Sequence, residues 1–311
     1  MSEPTTAVEP RTRDDGVVRG SEVASRGTPP ARTARTHRRR PRPASVLGRV
    51  LLVVAGLAMA LPFAWSLLTS LQDSRSLLVL PPSFSPSSLT TSAYRRLVDL
   101  MPFTRIVANT VIVTIISTVA QVVTSAMAGY GLARFNFRGR HAVFLAYLAT
   151  MMVPFQVTII PLFIAMRWLG WVNSLQALIA PMVASAFGVF LFRQYFMQMP
   201  AELEEAAALD GANPWQTFWR IALPYAQPAI AAHGILAFMA AWNAFLWPLF
   251  IARDESAMTL PVALASLHGR WTTDWSLVMA GSVITVVPVI VVYAVAQRWI
   301  VGGTLLSGIR R

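Results

Sequence analysis

The chain has 311 residues, 55% hydrophobic and only 13% charged, with a mean hydropathy of +0.53 and a formal charge of +12. A water-soluble globule carries roughly 25% charged residues, so the composition excludes an ordinary soluble domain and points to a surface that faces lipid. All 26 basic side chains are Arg and Cys is absent, which excludes a P-loop lysine, Schiff-base chemistry, disulfides and thiolate metal sites.

Residues 1–44 hold ten Arg, five acids and six Pro, including the run Arg38-Arg39-Arg40. Such a segment cannot bury a core and reads as a disordered cytoplasmic tail, leaving residues 45–311 as the membrane domain. An export signal would need an apolar run of about 7–15 residues, and the run after Arg49 is longer. An Arg-rich arm could bind nucleic acid, but an anchor on anionic lipid headgroups is the reading adopted; the expected contact is the bilayer, with no nucleic acid.

Six long windows free of Asp, Glu and Arg follow: Val50–Gln72, Ile106–Ala133, Ala142–Met166, Trp168–Phe192, Ile221–Ala252 and Trp275–Gln297. A helix needs about 20 residues to cross the hydrocarbon core, and backbone satisfaction in lipid requires these segments to be helical. The fold class is therefore an all-α integral membrane protein with six spans. A seventh window, Ser76–Tyr94, carries Pro81, Pro82 and Pro86 and reads as loop, while the shorter Ser256–Gly269 reads as a surface or re-entrant segment. An even span count puts both termini on one side, and the positive-inside rule makes it the cytoplasm. Arg134, Arg138, Arg140, Arg298, Arg310 and Arg311 share that side in this topology, whereas Arg167 lies outside.

Between spans four and five lies a loop of different character, residues 199–224. Pro200 suits the first position of a helix, and Glu202, Glu204 and Glu205 suit its positive end. Gly211 supplies a left-handed residue after that helix, Asn213 with Gln216 forms a capping box for a second, and Pro224 is expected to stop it. Two helices of about ten residues joined by a tight turn result. Trp215, Phe218, Trp219 and Ala222 follow helical spacing on one face of the second, and Leu203, Ala206 and Ala207 line the first. Four acids against Arg220 alone make the hairpin negative on a side where every other loop is basic. Caps, alanine ridge and wrong-sign charge agree on a docking knob for a basic protein groove. An acidic pair would be repelled by phosphates, which excludes a DNA-reading helix-turn-helix.

Glu205-Ala206-Ala207, Asp210-Gly211-Ala212, Phe218, Ile221, Leu223-Pro224 and Pro228 resemble the EAA loop of binding-protein-dependent ABC importer permeases. Asn109-Thr110, the run from Trp242 to Leu249, Thr259-Leu260-Pro261 and Gln297 to Gly303 occur in the order seen in the carbohydrate, maltose-type branch, and within it the six-span subunit. The resemblance covers the chain from about residue 46. It implies a permease subunit importing sugars into a bacterial cell, multi-pass in the inner (plasma) membrane. It also implies a second homologous permease subunit, two ATPase subunits on the cytoplasmic face and an extracytoplasmic sugar-binding protein as partners. This chain is then no enzyme and binds no cofactor, with ATP and Mg held by the partner ATPase. The family's coupling contacts fall on Glu205, Ala206, Ala207, Asp210, Gly211, Ala212, Phe218 and Pro224. Because the EAA loop is shared, a peptide or other small-solute importer is the alternative.

The substrate path is less legible. Asn109, Gln121, Gln156, His233 and Asn243 are polar residues in or near spans, read either as lining a pathway or as bonds between helices. Pro154, Pro161 and Pro248 are positioned to break helices. Trp242 and Trp247 suit either stacking on a sugar ring or packing, and His233 alone reads as a packing residue or a helix-to-helix bond. No cluster has metal-ligand spacing.

Overall fold

The structure, a computed structural model, describes residues 43–73, 89–267 and 274–307. The tail before residue 43, the loop prolines Pro81, Pro82 and Pro86, and Arg310 and Arg311 lie outside the described residues. The chain divides into two units, Met1–Val53 and Val54–Arg311. The described part of the first is the opening of one helix, and the packing below is that of the second.

Among the described residues all regular structure is helical. In order these are α1 (Pro43–Ser70), α2 (Ser92–Leu100), α3 (Phe103–Arg134), α4 (Arg140–Ala149), α5 (Phe155–Trp168), α6 (Leu175–Ile179), α7 (Ala186–Met197), α8 (Ala201–Leu209), α9 (Pro214–Thr217), α10 (Leu223–Tyr225), α11 (Gln227–Trp242), α12 (Leu246–Ile251), α13 (Leu260–Ser266) and α14 (Trp275–Ser307). Among the described residues four stretches are long and apolar enough to cross a membrane: Leu47–Ser70, Phe103–Arg134, Gln227–Ile251, which includes the short interruption at 243–245, and Trp275–Val295.

The third and fourth expected spans are not straight. Arg140–Met152 and Phe155–Trp168 meet at 100°, and Leu175–Met182 and Ala186–Met197 at 43°. Among the described residues the count is therefore four spans, or six if each sharply bent pair crosses once. Pro154 causes the first bend, because it has no N–H to give and Val153 before it is forced into an extended conformation. At the second, the Ser185 hydroxyl starts a new helix by accepting from Gly188 N at 3.1 Å. Pro161, by contrast, sits inside the continuous α5.

The core is built on α3, which packs against α7 and α11. Small residues make this approach close: a methyl at Gly129 would lie 2.7 Å from Phe192 Cβ and 2.9 Å from the Arg193 backbone nitrogen. The segment beginning at Ser256 is more deeply held than a surface element, since α13 buries Leu260, Val262 and Ala263. Thr110 fixes its start, with Oγ1 accepting from Leu260 N at 2.8 Å.

Replacing Gly129 by alanine forces α3 and α7 apart. The expected cost is about 2 kcal/mol, typical of overpacking, read as a lower melting temperature of the detergent-solubilised protein. An unchanged midpoint would contradict the close approach.

Candidate functional site

The hairpin of residues 199–225 forms as its local signals dictate. After α8 the chain reverses through Gly211 at φ +79°, with Gly211 N donating to Ala208 O at 3.1 Å and Ala212 N to Ala207 O at 2.9 Å. These two bonds make a Schellman closure, which needs a left-handed residue at the turn. Asn213 then starts α9: its Oδ1 accepts from Gln216 N at 2.8 Å, while Gln216 Oε1 accepts from Asn213 N at 3.0 Å.

Pro224 does not end the second helix. Residues Phe218–Ala222 widen into a π turn, with Leu223 N bonded to Phe218 O, and Pro224 enters the first turn of α10. A proline in a first helical turn forfeits no bond, so the chain continues helical. Helical dihedrals lapse at Ala226 (φ −84°, ψ 15°), before α11.

The π turn also divides the expected apolar face. Phe218 (3% exposed) and Ala222 (0%) are buried with Tyr130, Phe192, Phe196 and Met199 at the C-terminal end of α3, whereas Trp215 and Trp219 remain exposed. In α8 the alanine ridge splits likewise: Ala207 is buried, and Ala206 and Leu203 are exposed. Glu205, Asp210, Gly211 and Pro224 are exposed and Ala212 is half-buried. The eight expected coupling residues thus form two sets, an outward surface around Glu205, Ala206 and Asp210, and an inward foot of Ala207 and Phe218.

The acid that does face inward is Glu204, which the sequence pattern did not single out. Arg134 Nε donates to Glu204 Oε2 at 2.7 Å, and Nη2 lies 2.6 Å from the same oxygen. The Tyr130 hydroxyl bonds Glu204 Oε1 at 2.8 Å, and Arg134 Nη1 donates to Met199 O at 3.2 Å. Spacing could have flagged Arg134 only as the last residue of a basic helix end.

The expected pathway residues do not come together as one set. Asn109 is buried, and its amide donates to Ser256 O at 3.0 Å and Met258 O at 3.1 Å; it pins a loop. Trp242 (4% exposed) gives its indole N–H to Thr285 O, and Trp247 (2%) gives its own to Ala177 O. Both side chains are buried in the helix bundle, with Trp247 at the edge of a cavity. Gln156 is exposed at the start of α5. His233 packs edge-on to Phe192 at 5.8 Å, and neither ring nitrogen has a polar partner among the described residues, so the helix-to-helix bond is not formed.

Asn243 does line a cavity of about 470 Å³, together with Gln121, Phe155, Met182, Phe245 and Trp247. Three helix interruptions meet there, at 153–154, 183–185 and 243–245. The carbonyls freed at the second are taken up by side chains of α3: Gln121 Nε2 donates to Met182 O at 2.9 Å and Thr124 Oγ1 to Val183 O at 2.6 Å. Phe155 and Phe245 are the aromatic rings exposed there.

At the N-terminal end of α3, Asn173 holds the loop after α12 despite a left-handed φ of +63°. Its Oδ1 accepts from Arg253 N at 2.9 Å and its Nδ2 donates to Asp254 Oδ2 at 2.8 Å. Bonds from Ser256, then from Asn173, keep the Asp254 carboxyl below its usual range.

Residues 121–303 match the family model described as the binding-protein-dependent transport system inner membrane component. The arabinooligosaccharides transport system permease protein AraQ of Halalkalibacterium halodurans is 38% identical over 202 residues, 65% of this chain and 72% of that protein. The sn-glycerol-3-phosphate transport system permease protein UgpE of Pectobacterium atrosepticum is 31% identical over 84% of this chain and 96% of its own length. Among solved structures, a bacterial ABC transporter involved in import of the acidic polysaccharide alginate superposes with a TM-score of 0.73 at 27% identity, covering 82% of this chain and 95% of that one.

Loss of either turn device should loosen the hairpin alone. Asn213→Ala removes a cap worth about 1 kcal/mol, and Gly211→Ala forces a side chain into the left-handed region at about 1 kcal/mol. Hydrogen exchange of the 201–217 amides should accelerate roughly fivefold in each variant, because RT ln 5 is about 1 kcal/mol, with α3 and α7 unaffected. Unchanged exchange would contradict the closure.

Proposed function

The chain belongs to the binding-protein-dependent transport system inner membrane components, and on that footing we propose that it is the permease subunit of an ABC transporter that imports sugars. The observation that carries the mechanism is the division of the hairpin, whose foot is locked into the bundle while Glu205, Ala206 and Asp210 face outward. A rigid acidic knob of this kind fits a basic groove on an ATPase. Two such subunits, a second homologous permease and an extracytoplasmic sugar-binding protein complete the assembly in the inner membrane of a bacterium. Both termini and the hairpin face the cytoplasm, and ATP with Mg is held by the partner.

In this reading the chain performs no chemistry on nucleotide. Nucleotide binding favours one of two conformations, and differential contact at the knob transfers that bias to the spans. Glu205 supplies charge at the groove, Asp210, Gly211 and Ala212 set the angle between the hairpin helices, and Phe218 with Ala207 transmits force through packing. The pathway runs by the Asn243 cavity, where an amide and exposed Phe155 and Phe245 rings offer the hydrogen bonds and apolar faces a saccharide uses. Relatives named for arabinooligosaccharide transport and alginate import support a sugar over a peptide.

Glu205→Arg and Gly211→Pro are each expected to leave the protein in the membrane and abolish transport-coupled ATPase activity. Uptake of radiolabelled saccharide at the wild-type rate in both would remove the docking reading. Asn243→Ala, at an exposed position, is expected to weaken half-saturation of uptake severalfold without lowering the amount of protein, and equal half-saturation would remove the cavity from the path.

A further inference from the structure

We propose that Glu204, Arg134 and Tyr130 are positioning residues that lock the hairpin onto α3, making α3 the strut that carries hairpin movement to the segment at residues 256–260. The inference rests on the reading of the hairpin as the ATPase contact. It adds which helix receives the motion and where the motion arrives.

The covalent links from the hairpin to its neighbouring helices are poor transmitters. On one side the chain passes from α7 to α8 through Pro200 in an extended conformation. On the other it crosses the π turn at 218–222 and the non-helical residue Ala226. The lock bypasses both. The guanidinium of Arg134 and the hydroxyl of Tyr130 share the two oxygens of one carboxylate, and Arg134 also reaches Met199 O at the root of the hairpin. Arg134 and Glu204 side chains are 15% and 24% exposed, so water screens the pair far less than a surface ion pair. Tyr130 packs against Phe218 with ring centroids 5.3 Å apart, and charge and packing therefore act on the same point.

From there α3 is built to transmit. Its 32 residues span about 48 Å at 1.5 Å per residue. Among the described stretches long enough to cross a bilayer it is the one without a proline; the others carry Pro62, Pro228 and Pro248, and Pro288. Its far end is pinned in turn. Asn109 donates to the carbonyls of Ser256 and Met258, and Thr110 accepts from Leu260 N. A displacement of Glu204 thus reaches residues 256–260 through one continuous helix, held at each end by partly or fully buried hydrogen bonds. The proposed coupling runs through one named helix, and its test is whether that helix takes two nucleotide-dependent positions.

The absence of Cys from the chain permits a direct test in the assembled transporter with its own ATPases. A spin label at Glu255→Cys, an exposed position beside the pinned segment, reports movement at the far end, with the unlabelled-site complex as background. ATP binding should change its spectrum in the parent. In Glu204→Gln and Arg134→Gln that change should fall, and uptake per ATP hydrolysed should drop about tenfold, within the range of typical coupling. The exchange pair Glu204→Arg with Arg134→Glu should restore a large part of both, which a merely misfolded hairpin would not do. Full spectral response and full uptake in Glu204→Gln would overturn the strut, as would an exchange pair no better than either single variant. Glu205→Arg assayed alongside separates the two readings: if it abolishes uptake where Glu204→Gln does not, the docking knob stands and the strut alone is lost.

Discussion

One carboxylate organises the site. Glu204 turns inward from a helix whose other acids face outward, and it meets Arg134 and Tyr130 at the end of α3. A partly buried charge is tolerated only when paired and hydrogen-bonded, so this contact fixes the rotation of α8 about its own axis. Once α8 is set, Ala207 faces the bundle, and Glu205 and Ala206 face away. The Schellman turn at Gly211 then returns the chain so that Phe218 and Ala222 enter the aromatic cluster of Tyr130, Phe192 and Phe196. Without the inward carboxylate, a nine-residue helix of mostly Ala and Glu would have little to choose one face over another.

The interruptions of the other helices obey the same rule in apolar surroundings. A carbonyl released by a helix break cannot rely on water at membrane depth, and Gln121 and Thr124 take up those of Met182 and Val183. The polar residues of α3 therefore work at three levels along its length: Asn109 and Thr110 at one end, Gln121 and Thr124 in the middle, Tyr130 and Arg134 at the other. The family to which the chain belongs is that of binding-protein-dependent transport systems, and a helix bonded to its broken neighbours along its whole length is suited to pass a displacement from one end to the other.

What was legible in the sequence was local. The capping box at Asn213 and Gln216 and the turn at Gly211 depend on a few neighbouring dihedrals, and they form as the residue pattern implies. The break at Pro154 was legible for the same reason. The π turn at Phe218–Ala222 was not, because it is an accommodation between Pro224 and the packing of Phe218, and spacing alone assumes a regular helix. Nor could composition tell which of Glu204 and Glu205 faces inward, since one step along a helix rotates a side chain by about 100° and only the partner decides. Trp242, Trp247 and Asn109 show the limit most plainly. Each is the residue type a sugar path would use, yet each spends its N–H donors on a backbone carbonyl, and those carbonyls are 43 or more residues away in sequence.

The account turns on the hairpin being an exposed knob on the cytoplasmic side that an ATPase covers. Leu209, at the tip of α8 and 90% exposed, offers the most direct measurement: a single Leu209→Cys labelled with a membrane-impermeant maleimide. The label should fail to react in intact cells, react in inverted vesicles stripped of the ATPase, and be blocked when the ATPase is restored. Reaction from the outside of intact cells, or labelling indifferent to the restored ATPase, would contradict it.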